Sequence, residues 1–268
     1  MLGRTLQRKL AGFTLIPTDL PEGDITDETK FDALMAKEKP DAVIHCAAMT
    51  AVDNCESNQD LAFKLNALGS ANVAAACSRH HARLIAISTD YVFDGASPRP
   101  YHEFDLPTGG ATVYGQSKFA GEELIRHCCP NHVICRISWL YGPGGPSFVH
   151  AMLKLADGSR PELKVVDDQR GNPTSTLAVL RGILERPLLA GTFHLTCEGE
   201  ASWYDFAREI FRQRGIEQKV TPCTAAEFPR PAPRPANSRL EKRMLRLCGL
   251  PLMPEWREAL AEFLKSGL

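Results

Sequence analysis

No apolar run in this 268-residue chain approaches the roughly 20 residues that a membrane-spanning helix needs. Neither sign of charge is in excess: 31 Lys and Arg are balanced by 32 Asp and Glu, for a formal net charge of -1. Such a balance offers no global basic field to attract nucleic acid or an anionic membrane surface, although a local basic patch stays open. The N-terminus has no charged segment followed by the apolar core of a secretory leader. There is no internal repeat and no long low-complexity tract. Cysteine is not scarce, at nine residues, but useful spacing is: the number is odd, the residues are scattered, and Cys128 and Cys129 lack the spaced partners of a zinc site. Reduced thiols in the cytoplasm are the expectation, with Cys46, Cys77 and Cys135 acting as small hydrophobes in apolar runs. The residues predict no metal site, no nucleic-acid partner and no membrane partner.

What is present is a chain of 44% hydrophobic and 24% charged residues, enough for one large core or a core with a smaller lobe. Short apolar runs alternate with helical spacing. Phe13 to Ile16 reads as a strand, Thr26 to Lys37 as a helix through Phe31, Leu34 and Met35, and Ala42 to Cys46 as a buried strand. A long helix from about Asp60 to Arg79, a strand Arg83 to Ser88, a helix around Gly115 to His127 and a strand His132 to Ser138 follow. This is the pattern of βαβ units, so the expected class is α/β, a doubly wound parallel sheet with helices on both faces. Beyond Tyr141 the pattern loosens into GPGGP, a helix through Leu155, the strand KVV, the loop DDQRGNPTST, further helices and a Pro- and Arg-rich loop, EFPRPAPRPANS.

Ligands of such sheets bind beyond the carboxyl ends of the strands. One end, HCAAMTAVD, carries Ala47 and Ala48, small enough for a flat ring or a ribose to approach the backbone. The next ends in Ser88, Thr89 and Asp90. The helix after it places Tyr114 and Lys118 at i and i+4, on one face. A phenol titrates near ~10, and an adjacent ammonium favours its anion. With a Thr hydroxyl on the same carbonyl oxygen, such a trio polarises a ketone and protonates it as hydride arrives. Bare YxxxK is a weak signal, since a packed ring beside a solvated charge is common; STDYVF and YGQSKFAGE around it strengthen the reading.

CAAMTAVDNCE, the Asn of LNALGS, STDYVFDG, VYGQSKFAGE, RISWLYG, DQRGNPTS and RPANSRL occur in that order. Together they resemble the extended short-chain dehydrogenase/reductases, and within these the dTDP-4-dehydrorhamnose reductase family, from Leu2 to nearly the C-terminus. The resemblance implies a Rossmann-type sheet formed by residues 1–141 with about 173–198, and a smaller C-terminal substrate-binding lobe of about 142–172 with 199–268. It implies reduction of the C4 ketone of a 4-dehydro-6-deoxy sugar nucleotide by NADPH or NADH, in making nucleotide sugars for surface polysaccharide. Tyr114 is then the proton donor, Lys118 its activator and ribose holder, and Thr89 and Asp90 substrate contacts. Ala47, Ala48 and Thr50 line the cofactor, and Asp24 and Ile25 flank its adenine. Trp139 packs near the sugar nucleotide, Asn172 lies in a substrate-lobe loop, Arg234 forks onto a diphosphate, and Asn66 supports the site from its helix. Each has a plain reading beside it: Trp139 as core, Asp90 as a turn cap, Arg234 as a solvated charge. Mg2+ enters through the resemblance alone, and a homodimer is compatible with it. Two other readings stay open. One is an epimerase or dehydratase of the same superfamily, the dehydratase disfavoured by Tyr91 where an acid would follow Asp90; the other is a non-catalytic regulatory subunit of the kind that serves methionine adenosyltransferase.

The chain departs from the pattern at its start. A dinucleotide-binding sheet opens with an apolar strand and a Gly-rich turn whose helix holds the pyrophosphate. MLGRTLQRKL offers only the last glycine of such a turn, Gly3, and the helix after it. Asp19 falls about twenty residues beyond where the turn's first glycine would lie, the place for an acid on a ribose hydroxyl; it is equally a turn residue before Pro21. The expectation is a start upstream of Met1, and for the chain as it stands weak cofactor binding and association through uncovered strand edges.

Overall fold

The structure, a computed structural model, describes residues 1–9, 12–186 and 188–266. Helices α1 (Leu2–Lys9) and α2 (Glu28–Glu38) precede strand β1 (Ala42–His45). A helical run follows: α3 (Val52–Ser57), α4 (Gln59–Phe63), a π-helical turn at Lys64–Leu68, and α5 (Gly69–Arg79). Next come β2 (Arg83–Thr89), α6 (Val113–Cys128), β3 (His132–Ile137), β4 (Leu140–Tyr141), α7 (Phe148–Leu155) and β5 (Leu163–Val166). The rest comprises β6 (Arg170–Gly171), β7 (Thr174–Ser175), α8 (Thr176–Leu184), β8 (Gly191–His194), β9 (Ala201–Ser202), α9 (Trp203–Arg214), β10 (Val220–Cys223), β11 (Asn237–Ser238), α10 (Arg243–Leu247) and α11 (Trp256–Lys265).

β1, β2, β3 and β8 form one parallel sheet in that order. The runs RLIAIST and HVICRI are apolar on both faces because both faces are covered. On one, Phe31, Met35, Val73, Cys77 and Ile125 of the helices pack on Leu84 and Ile134. On the other, Leu2, Leu6, Val179 and Leu260 close over Val133, Cys135 and Phe193. The expected doubly wound α/β fold is therefore present. Three small sheets, β10-β5, β11-β6-β9 and β4-β7, are built from the C-terminal half beside it.

Three expectations change. Phe13 to Ile16 is irregular and exposed, because no strand among the described residues lies beside it to share a hydrogen-bond ladder. Among the described residues β1 pairs only with β2, and it is exposed at Ala42 and half-buried at Val43 and Ile44, so there it is an edge strand and not a buried run. The long helix from Asp60 to Arg79 is interrupted by the π turn that carries Asn66, the sort of one-residue bulge that often marks a functional position. Leu10 of the first expected helix, and Gly267 and Leu268 of the expected lobe, lie outside the described residues.

Candidate active site

β2 ends at Thr89, and the chain turns at once into a 3-10 turn, Asp90–Val92. The Thr89 hydroxyl sets that turn: it accepts the Tyr91 N–H at 3.2 Å and donates to Asp90 Oδ1 at 3.0 Å. α6 enters opposite. Its N-cap Thr112 accepts the Gly115 N–H at 3.0 Å, and Glu56 of α3 accepts the Val113 N–H at 2.9 Å, so two side chains satisfy amides that a helix start leaves orphaned. Tyr114, at the mouth, meets Tyr91 edge-on with ring centroids 5.4 Å apart. Lys118, one turn deeper and buried, donates from Nζ to the Ile87 carbonyl at 2.7 Å. Thr89, Asp90, Tyr114 and Lys118 thus converge at the carboxyl end of β2, where the sequence puts them.

Burial governs their electrostatics. It raises the Tyr114 phenol well above its usual range, with a hydrogen bond from Thr89 opposing and Asp90 reinforcing, so the phenol keeps its proton to higher pH than a free one. Burial also pulls Lys118 down to about 8, opposed by Glu122. The expected direct lowering of the phenol by Lys118 is absent: the ammonium is directed past the ring at a β2 carbonyl. Asp90 is pushed up to about 6 by burial, against hydrogen bonds with Ser238 and Thr89, and its Oδ2 has no partner among the described residues.

Asn66 joins both walls of the site. Its Oδ1 accepts the Met49 N–H at 2.8 Å, and its Nδ2 donates to the Met49 carbonyl at 3.1 Å and to Ser117 Oγ at 3.0 Å. The π turn brings the amide to this junction, and α6 approaches closely because residue 121 is glycine: a Cβ there would run into the Asn66 carbonyl. The segment so held, Cys46 to Ala51, leaves Ala47 and Thr50 exposed and Ala48 half-buried. Among the described residues, nothing stands within 4 Å of where a Cβ on Gly3 would be. Asp24 accepts the Thr26 N–H and hydroxyl at 2.9 and 2.8 Å, which hold its carboxyl below the usual range. Ile25 is buried against Gly69, and its carbonyl takes Asn72 Nδ2 at 2.9 Å. An open wall of small residues beside a buried ammonium fits the ribose and nicotinamide of a dinucleotide. Among the described residues no three His, Cys, Asp or Glu are grouped to hold a metal ion.

On the lobe side, groups within the chain hold two of the expected ligand residues. Trp139 has φ of 47°, a left-handed backbone rare for an aromatic residue and of the strained kind found at ligand sites. Its indole stacks on Trp203 at 3.5 Å between centroids, with Phe148 tilted against Trp203, and Gly171 leaves it room. Asn172 is held by backbone partners within the chain. Buried, it donates to the Gly199 carbonyl at 2.6 Å and accepts the Leu240 N–H at 2.7 Å, fastening three lobe segments together. Arg234 does make a bidentate fork, but on Asp53 of α3, at 3.0 and 2.9 Å. Asp53 lies within the CAAMTAVDNCE motif, but neither its pairing with Arg234 nor the stacking of Trp203 on Trp139 is legible in the sequence. Glu122 carried a legible signal, sitting four residues after Lys118 in YGQSKFAGE.

A doubly wound parallel sheet with Thr, Tyr and Lys gathered at the end of its second strand is the arrangement of the short-chain dehydrogenase/reductases. More narrowly, the chain matches the RmlD substrate binding domain family over residues 1–268 and belongs to that family. It is 41% identical over 273 residues to a dTDP-4-dehydrorhamnose reductase of Streptomyces griseus, covering 98% of this chain and 89% of the relative. The crystal structure of a dTDP-4-dehydrorhamnose reductase from Clostridium acetobutylicum superposes with a TM-score of 0.94 at 46% identity, covering 99% of this chain and 95% of that one. The enzyme of the same name from Bacillus anthracis, solved in complex with NADP, gives a TM-score of 0.94 at 38% identity over the same shares.

Proposed function

We propose that this chain is an NADPH- or NADH-dependent reductase of the C4 ketone of dTDP-4-dehydrorhamnose, yielding dTDP-L-rhamnose for surface polysaccharide. The observation that carries it is the convergence of Thr89, Tyr114 and Lys118 at one strand end in a member of this family. The nicotinamide cofactor supplies hydride when bound. Ala47, Ala48 and Thr50 form its wall, Lys118 holds the ribose, Gly3 lies where a phosphate approaches, and Asp24 and Ile25 border the adenine. The chain's own part is the proton. Thr89 hydrogen-bonds the ketone oxygen and orients it, and Tyr114, protonated at neutral pH as phenols are, transfers its phenolic proton as charge builds there. Asp90 and Trp139 contact the sugar. Arg234 reaches the diphosphate by leaving Asp53.

We further propose that residues 1–141 with about 173–198 form the cofactor-binding domain, and about 142–172 with 199–268 the substrate lobe. Nine unpaired cysteines support a cytoplasmic setting, and no helix among the described residues is long and apolar enough to cross a membrane. Association as a homodimer is tested by sedimentation. The reductase reading is tested by NADPH oxidation with dTDP-4-dehydrorhamnose: Tyr114→Phe lowers turnover about 10²- to 10⁴-fold while the fold persists. Near-normal turnover in Tyr114→Phe removes Tyr114 as the donor.

A further inference from the structure

Beneath the Tyr114–Lys118 pair lies a second polar layer that the ketone chemistry does not call for. Glu122 stands one turn after Lys118 on α6, and its side chain is 2% exposed; the Arg136 side chain of β3 is 1% exposed. Four hydrogen bonds converge on the Glu122 carboxylate. Oε1 accepts Ser88 Oγ at 2.5 Å and Arg136 Nε at 2.9 Å; Oε2 accepts Arg136 Nη2 at 2.7 Å and Arg126 Nη2 at 2.9 Å. Ser88 and Arg136 are register partners across β2 and β3. Three consecutive residues of β2 therefore have linked tasks: the Ile87 carbonyl takes Lys118, the Ser88 hydroxyl takes Glu122, and Thr89 caps the active-site turn. Glu122 and Lys118 also line one small internal cavity with His45, Ser70 and Ser88. A buried ion pair is no more stable than a well-packed apolar pair of similar volume, so packing alone gives no reason for this one.

We propose that Glu122 is a positioning residue for proton delivery: keyed to Ser88 and Arg136, its carboxylate fixes the α6 face that presents Tyr114 and Lys118 to Thr89 and counterbalances the Lys118 ammonium across the shared cavity. The proposal rests on the reductase reading. Around Lys118 stand His45 of β1 and Cys46 just after it, with Tyr114 and Glu122 on its own helix; Arg136 of β3 stands behind Glu122, and α5 contributes the uncharged Ser70. Burial and Lys118 hold His45 down to about 3, and burial pushes Cys46 up to about 11, so both are neutral at pH 7. Burial pushes the Glu122 carboxyl up, but Arg136, Ser88 and Arg126 outweigh it and hold it at about 2. Glu122 is therefore ionised, and it is the largest influence that keeps Lys118 charged against burial.

The test is the titration of the Lys118 ammonium by NMR of the isotopically labelled 268-residue chain, its signal identified by loss in Lys118→Met. Glu122→Gln and Arg136→Met break the same ion pair. Glu122→Gln lowers the Lys118 titration by roughly one pH unit and moves the alkaline limb of kcat/KM to lower pH. Arg136→Met leaves the carboxylate with Ser88 and Arg126, so Lys118 titrates as in the wild type or higher. Equal downward shifts in both variants, or no shift in Glu122→Gln, overturn the proposal. If a single variant does not fold, Glu122→Gln with Arg136→Gln removes the two charges together; Glu122, and not Arg136, sets the field at Lys118, so the titration still falls, and an unchanged value overturns the proposal. The titration needs neither substrate nor cofactor, so its failure leaves the reductase reading standing, whereas an active Tyr114→Phe overturns that reading whatever Lys118 does.

Discussion

At the centre of the sheet, β2 and β3 have a paired strand on either side and their polar side chains are tied across several elements: Ser88 to Glu122, Glu122 to Arg136 and Arg126. At the β1 flank the ladder stops. Among the described residues β1 has one partner, and Phe13, Leu15, Ile16 and Leu20 ahead of it are exposed. The residues proposed for proton transfer stand on the first region, and those proposed for the adenine side of the cofactor stand beside the second. The contrast teaches where precision is needed. Proton transfer requires donor and acceptor placed to fractions of an ångström, whereas cofactor affinity is summed over several separate contacts.

The sharpest way to break the comparison is at its centre. Lys118→Met removes the ammonium beside Tyr114, and turnover falls about 10²- to 10⁴-fold, with cofactor affinity reduced in the same variant. Steady-state kinetics and a cofactor titration measure the two, and unchanged affinity would count against a ribose contact.

Acid distinguishes the regions next. Glu122 is held at about 2, below its ordinary value of 4.5, so its contribution is present above 4.5 and lost as pH falls from there toward 2. His45 and His194, each held by burial at about 3 against 6.5, are protonated first in the unfolded chain, so stability falls as pH drops from 6.5 toward 3. Asp90 has the opposite sign: raised to about 6 from 3.8, it adds stability as pH falls through that window. Each pH unit that separates a group's folded and unfolded titrations is worth about 1.4 kcal/mol, so the first three outweigh Asp90. Denaturant melts should weaken by several kcal/mol on acidification, and Glu122→Gln should flatten the most acidic part of the curve.

Smaller effects sharpen the contrast. Gly121→Ala drives a methyl into the Asn66 carbonyl, a backbone atom that cannot swing aside, and costs about 1–3 kcal/mol, read as a lower Tm. Phe13→Ser with Ile16→Ser, on the exposed flank, changes stability by no more than about 0.5 kcal/mol. Amide exchange should be fast at residues 13–20 and slowest in β2 and β3; the reverse order would erase the distinction.

By itself the sequence determined what is local. Continuous apolar runs marked β2 and β3, i,i+4 spacing put Tyr114 and Lys118 on one face of α6, and a polar strand end placed Thr89 and Asp90 in the cleft, because helix period and strand length repeat over a few residues. Tertiary structure alone decided the rest. Phe13 to Ile16 has the composition of a strand but no neighbour among the described residues to complete one. The Arg234 fork fits any carboxylate or phosphate, and Asp53, 181 positions away, takes it here. The partners of the Asn172 amide, Gly199 and Leu240, lie 27 and 68 positions away. Glu122 is legible as a position in YGQSKFAGE, but its partners Ser88 and Arg136 come beneath it only when β2 and β3 pair. Ladders, ion pairs and buried amides are satisfied by groups distant along the chain, and the spacing of residues in sequence carries no record of that proximity.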